Sequence, residues 1–125
     1  MVHKIVIILI FFVLNCQKQE KTKEPRIYIG NLISQKNLNY DYVEGDIIDC
    51  RNISVEYLKG NIRGEKNQNI YVNVMKGNVL SGNVKVNILE GNIINGKSVF
   101  VKILIGRDFS KLAKIEKHIK DEIEF

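Results

Sequence analysis

Tryptophan is absent, proline occurs once, and of the two histidines only His118 lies beyond position 3. A single histidine supplies neither a base with its orienting partner nor a transition-metal site, so nucleophilic and metal-assisted catalysis lack their usual residues. Cysteine is limited to Cys16 and Cys50, too few for a zinc site. Basic residues outnumber acidic ones by only 19 to 14 and form no stripe interleaved with aromatics, so no nucleic-acid partner is expected. The longest apolar run, 5–14, has ten residues. A membrane-spanning helix needs roughly twice that. Apolar and charged fractions of 45% and 26% exclude disorder over most of the chain. What is left is 125 residues, one domain's length, for which no enzyme activity and no cofactor are expected.

The run Ile5 to Leu14 follows His3 and Lys4, and beyond Asn15-Cys16 come eight polar residues and Pro25, 17–25. A short basic start, an apolar core and a polar exit predict a secretory signal peptide over 1–15. Val13-Leu14-Asn15-Cys16 puts a thiol at its end. Here the chain resembles a bacterial lipoprotein precursor, in the relaxed form similar to that of spirochaete lipoproteins. The resemblance implies cleavage after Asn15 and lipidation of Cys16. Asn15 and Val13 stand where a smaller residue and Leu are commoner. The partner it implies is a lipid bilayer, entered by acyl chains on Cys16, at the cell membrane or outer membrane and facing the periplasm or cell surface. Residues 16–26 are then the lipidated cysteine and a polar spacer. With Cys16 so used, Cys50 reads as a small buried hydrophobe, intermolecular pairing being the alternative. The mature chain 16–125 carries 18 basic and 14 acidic residues, a mild excess that suits solvation and anionic lipid.

From Ile27 the apolar pattern has period two, as in Ile70-Tyr71-Val72-Asn73-Val74 and Val84-Lys85-Val86-Asn87-Ile88. Alternation of β-branched and aromatic residues predicts half-buried strands, with Val84, Val86 and Ile88 on one face and Lys85 and Asn87 on the other. The run 99–105 is heavier and fits a central strand. Glycine punctuates the strands, each time followed by Asn or Asp and then an aliphatic residue, as in Gly30-Asn31, Gly45-Asp46, Gly60-Asn61, Gly77-Asn78 and Gly91-Asn92. With Gly106 these recur at intervals of 15, 15, 17, 14 and 15. Glycine admits positive φ at a turn, and Asn or Asp bonds the local backbone there.

Two architectures fit a mainly β domain over 27–106. The preferred one is a small antiparallel meander closing into a barrel or sandwich, for which Asn95-Gly96 between apolar runs is a strong hairpin signal. The alternative is a short parallel β-solenoid with one Gly-Asx corner per coil. Its units, Val-Glu-Gly-Asp-Ile, Leu-Lys-Gly-Asn-Ile, Met-Lys-Gly-Asn-Val and Leu-Glu-Gly-Asn-Ile within 43–106, resemble a bactofilin core in composition. That resemblance implies a bacterial scaffold protein polymerising without nucleotide, and carries no single residue over. Beyond it, Leu112, Ile115, Ile119 and Ile123 recur at helical spacing and predict an amphipathic helix over 107–125, capped by Asp108 or Ser110 and docked on the sheet.

The acidic cluster Asp41, Glu44, Asp46 and Asp49 lacks the spacing of a calcium loop and reads as a solvated strand edge. His118 reads as a surface residue of the helix. Tyr28, Tyr40, Tyr42, Tyr57 and Tyr71 are the candidate interaction surface, since tyrosine suits recognition as well as sheet packing. The expected function is a non-enzymatic binding or interaction module, held at the membrane and meeting an unnamed protein or envelope partner. A bactofilin-like scaffold is the alternative, and a small hydrolase or lytic accessory protein the third.

Overall fold

Ile, Val and Leu at every second position make strands whose alternate side chains need one common core. A computed structural model describes residues 24–119 and satisfies that need by winding the chain into stacked coils. The signal peptide, Cys16, most of the spacer and the end of the expected helix lie outside the described residues. The strands are β1 (Ile27–Ile29), β2 (Leu32–Ile33), β3 (Lys36–Glu44), β4 (Ile47–Ile48), β5 (Arg51–Lys59), β6 (Ile62–Arg63), β7 (Gln68–Lys76), β8 (Val84–Ile93), β9 (Val99–Asp108) and β10 (Lys114–Ile119). One sheet has the order β1-β3-β5-β7-β8-β9-β10, and a smaller one the order β2-β4-β6. Every pairing is parallel. The bridges Ile62 to Val79 and Val79 to Ile93 continue the smaller sheet. The domain is therefore mainly β, as expected, but a parallel β-solenoid and not the antiparallel barrel or sandwich.

The Gly-Asx pairs explain the difference. Each Asx side chain accepts the backbone N–H of the residue that follows the corner glycine one coil later. The series runs Asn31 to Asp46 (2.8 Å), Asp46 to Asn61 (3.0 Å), Asn61 to Asn78 (2.9 Å), Asn78 to Asn92 (2.9 Å) and Asn92 to Arg107 (3.2 Å). Such a ladder requires the corners to stack, which a meander does not do. A second ladder lines another corner, where Asn37, Asn52 and Asn69 hold φ of 56–58°. There Asn52 Nδ2 donates to Asn37 Oδ1 (2.9 Å) and Asn69 Nδ2 to Asn52 Oδ1 (2.7 Å). Asparagine is among the few residues that accept this left-handed backbone.

The core is four stacked rows: Val43-Leu58-Met75-Leu89-Leu104, Leu32-Ile47-Ile62-Val79-Ile93, Ile53-Ile70-Val84-Val99 and Val55-Val72-Val86-Val101. The long strands bend between two outward residues, so the alternation shifts phase. Ile88, expected inside with Val84 and Val86, is half-buried on the outer side, and Leu89 takes the inward place. The same bend sets Glu56 and Tyr57 side by side in β5, between the buried Val55 and Leu58.

Two local expectations fail for identifiable reasons. Asn95-Gly96 is a coil corner and no hairpin, because β8 and β9 run parallel. The Gly96 N–H is held by Ser110 Oγ (2.9 Å), and Ala113 packs where a Gly96 side chain would go. The stretch read as a helix is a loop and then β10, paired with β9 from Phe100 to Ile105, and no helix occurs among the described residues. The open edge of β9 offers a row of backbone partners to 114–119, and this outweighs a four-residue apolar spacing. Phe109 and Leu112 consequently stay exposed. The capping residues still act as caps, but of a loop. Asp108 accepts the N–H groups of Ser110 (2.9 Å) and Ala113 (3.0 Å), and Ser110 Oγ accepts that of Leu112 (3.1 Å). Burial pushes the Asp108 carboxyl up, but the bonds from the Ser110 hydroxyl and from the backbone of Ala113, Ser110 and Lys111 outweigh it and hold it below the usual carboxylate value.

Candidate functional site

The five tyrosines separate into three groups. Tyr28 and Tyr40 pack against the first coil's end of the core, hereafter the head, with ring centroids 5.4 Å apart. Their registers place Tyr28 over Val43 and Tyr40 over Val55, so they close two core rows. Tyr42 and Tyr57 stack on the outer side of the sheet, 5.6 Å apart and within 4° of parallel. The Tyr42 hydroxyl donates to Glu44 (3.0 Å), which, with partial desolvation, raises its pKa above the ordinary phenol value. Tyr71 stands apart and accepts from Asn87 Nδ2 (2.7 Å).

Tyr42 and Tyr57 belong to a longer row that sequence reading missed. Register continues it through Ile27, Tyr42, Tyr57, Val74, Ile88 and Ile103, one residue per coil. All but the exposed Ile27 are half-buried. The signal was the doubled outward position at each bend, which simple alternation hides.

The acidic cluster is dispersed by the coils. Asp41 accepts the Arg26 N–H (2.9 Å), Asp46 pairs with Arg63 (3.0 Å), and Asp49 accepts the Lys66 N–H (3.2 Å). Among the described residues no group of three His, Cys, Asp or Glu is placed to hold a metal ion. Cys50 is buried, with its thiol 3.2 Å from the Leu32 carbonyl and accepting the Gln35 N–H at 3.4 Å. This is the small buried hydrophobe expected. His118 is exposed as expected but lies on β10, where its Nε2–H donates to the Gly106 carbonyl (2.6 Å).

Among the described residues, the two ends of the main sheet have no further strand beside them. At the head, β1 and the lead-in Glu24-Pro25-Arg26 form the last rung. Beside them is an open hollow of about 630 Å³ lined by Glu24, Arg26, Asn39, Tyr40 and Glu56. At the tail, β9 is the one strand beside β10 among the described residues. Ala113 and Ile115 are the half-buried residues that close the core there. The class is thus a parallel β-solenoid in which, among the described residues, the main sheet ends on β1 and β10, each paired on one side. Comparison with protein-family models, with curated proteins and with solved structures gives no match for the chain.

Proposed function

We propose that the chain is a non-enzymatic structural protein of the cell envelope, a short solenoid rod tethered to a bilayer through Cys16 and assembling through its ends. The observation that carries this reading is the pair of parallel edges, β1 at the head and β10 at the tail, that have no further strand beside them among the described residues. Solenoids that remain single units cover their end coils with a polar cap, because an open edge templates further pairing. Here the core ends on Tyr28, Tyr40 and Leu38 at the head and on Ala113 and Ile115 at the tail. The compositional likeness of 43–106 to a bactofilin core is compatible with the fold and supports the same reading.

The ten strands of the described residues lie within 27–119, so residues 17–125 retain all of them. Sedimentation velocity on 17–125 should show species whose mass grows with concentration. One monomer boundary at every concentration removes the scaffold reading. The tether is tested on the full chain: Cys16→Ala should shift the protein from the detergent to the aqueous phase on partitioning, and unchanged partitioning sinks that part.

A second reading, an interaction module, is favoured by the outer row from Ile27 to Ile103. It offers an extended envelope partner a partly exposed apolar rail along the axis. Assembly through the ends would leave that rail free.

A further inference from the structure

We propose that copies of this chain join head to tail, β10 of one copy pairing in parallel with residues 24–29 of the next, in the register that runs through the ladder. This rests on the scaffold reading and specifies its joint. Parallel pairing fixes the polarity. A strand that extends the sheet beyond β1 in the same direction is supplied by the tail of a second copy, whereas two heads would meet with opposed strands.

The register follows from the ladder. At the tail, Lys114, Ile115, Lys117, His118 and Ile119 face Phe100, Val101, Ile103, Leu104 and Ile105. Followed back through the coils, the row of Lys114 is Phe100, Lys85, Tyr71, Ser54 and Asn39. At the head, Ile27, Tyr28 and Ile29 face Tyr42, Val43 and Glu44, an offset of 15. The same offset holds at Arg26, whose carbonyl accepts the Asp41 N–H (2.8 Å), and sets Glu24 beside Asn39. One further step therefore sets Lys114 opposite Glu24, Glu116 opposite Arg26, His118 opposite Tyr28 and Ile119 opposite Ile29.

Both charged contacts in that register join opposite signs, and all four side chains belong to exposed residues. The Arg26 guanidinium is already ordered over the Tyr40 ring, 5.1 Å from its centroid. Ile29 and Ile119, 65% and 41% exposed, cover each other. Slips are disfavoured. Moving β10 by two residues one way puts Lys114 against Arg26, and two the other way puts Glu116 against Glu24. A one-residue slip turns every side chain to the wrong face. Taken singly, each edge is guarded, by Pro25 and the shortness of β1 at the head and by Lys114 and Lys117 at the tail. Such features repel an arbitrary strand; here the tail's lysine and glutamate match the head's charges.

The test uses residues 17–125 at low salt and sedimentation velocity across a concentration series. Glu24→Lys and Lys114→Glu each turn an attractive contact into a repulsive one. Each should raise the concentration of half-assembly about five- to tenfold, with thermal melting of the monomer unchanged. The double variant Glu24→Lys/Lys114→Glu should return to wild-type behaviour. So should an equimolar mixture of the two single variants, in which every altered end meets its complement in the other protein. A folding defect would not be cured by mixing. Single reversals that leave assembly untouched, or a mixture that fails to restore it, overturn this joint while the scaffold reading stands. A wild-type protein that stays monomeric overturns both.

Discussion

Gly60→Ala should severely destabilise the fold. Gly60 holds φ of +155°, and a Cβ placed on it would lie 1.9 Å from the Gly45 carbonyl oxygen. That neighbour is backbone, itself locked in the coil below, so it cannot yield as a flexible side chain does. Gly60 N–H in turn donates to Lys76 of the coil above (3.1 Å), so relief by movement in that direction breaks the ladder. The expected loss is at least about 4 kcal/mol, a large part of the roughly 5–15 kcal/mol that stabilises a domain. Gly30→Ala is the control. It has a similarly unusual φ, +136°, but no coil beneath it among the described residues, and the nearest atoms to its Cβ are those of the Tyr28 ring, at 3.6 Å. Backbone strain alone should cost about 1–3 kcal/mol. Urea midpoints measured by circular dichroism separate the two, and equal losses would refute the stacked-corner account.

Asn67→Ala should destabilise by about 2–4 kcal/mol, far more than a surface asparagine. Asn67 is 1% exposed and is the buried polar side chain among the described residues. It sits where the coil from Gly60 to Gly77 carries two residues more than the coil before it and three more than the coil after it. Its Oδ1 accepts the Cys50 N–H (2.7 Å), and its Nδ2 donates to the carbonyls of Arg63 (2.9 Å) and Ile47 (3.5 Å). Removing it strands those groups away from water, at about 1–3 kcal/mol for each unsatisfied group. Asn67→Asp keeps the acceptor, loses the donor and buries a charge, so it should be no better than alanine. The check is chemical denaturation followed by amide exchange at Cys50. An unprotected Cys50 amide in the alanine variant is expected; full protection with a loss under about 0.5 kcal/mol contradicts the role.

The sequence made the coil length readable before its direction. Gly30, Gly45, Gly60, Gly77, Gly91 and Gly106 are spaced by the ladder's own offsets, because each must lie on the carbonyl of the one before. The same residues, read one at a time, equally describe turns of a meander. Direction is decided by bonds between Asx residues 14 to 17 positions apart, which no local window contains. The tail failed differently. Leu112, Ile115 and Ile119 do have helical spacing, but the free edge of β9 is a tertiary fact that propensity does not carry. Asn67 left only the faint trace of an interval of 17, and the outer row through Tyr57 was hidden by the bend at Glu56-Tyr57. The head and tail charges lie 90 residues apart in the chain, so their match appears only once the coils set the register.

The offsets of 14 to 17 residues have one more consequence. Each coil touches only the coil before it and the coil after it, so no contact ties Ile29 to Ile119 within a single chain. The molecule behaves as a linear array with nearest-neighbour coupling, in which cooperativity is handed on from rung to rung. Damage at either end frays one coil and leaves the rest standing. Damage at the third coil, where Asn67 bridges the enlarged turn, divides the array into two stubs, each too short to keep its own interior dry.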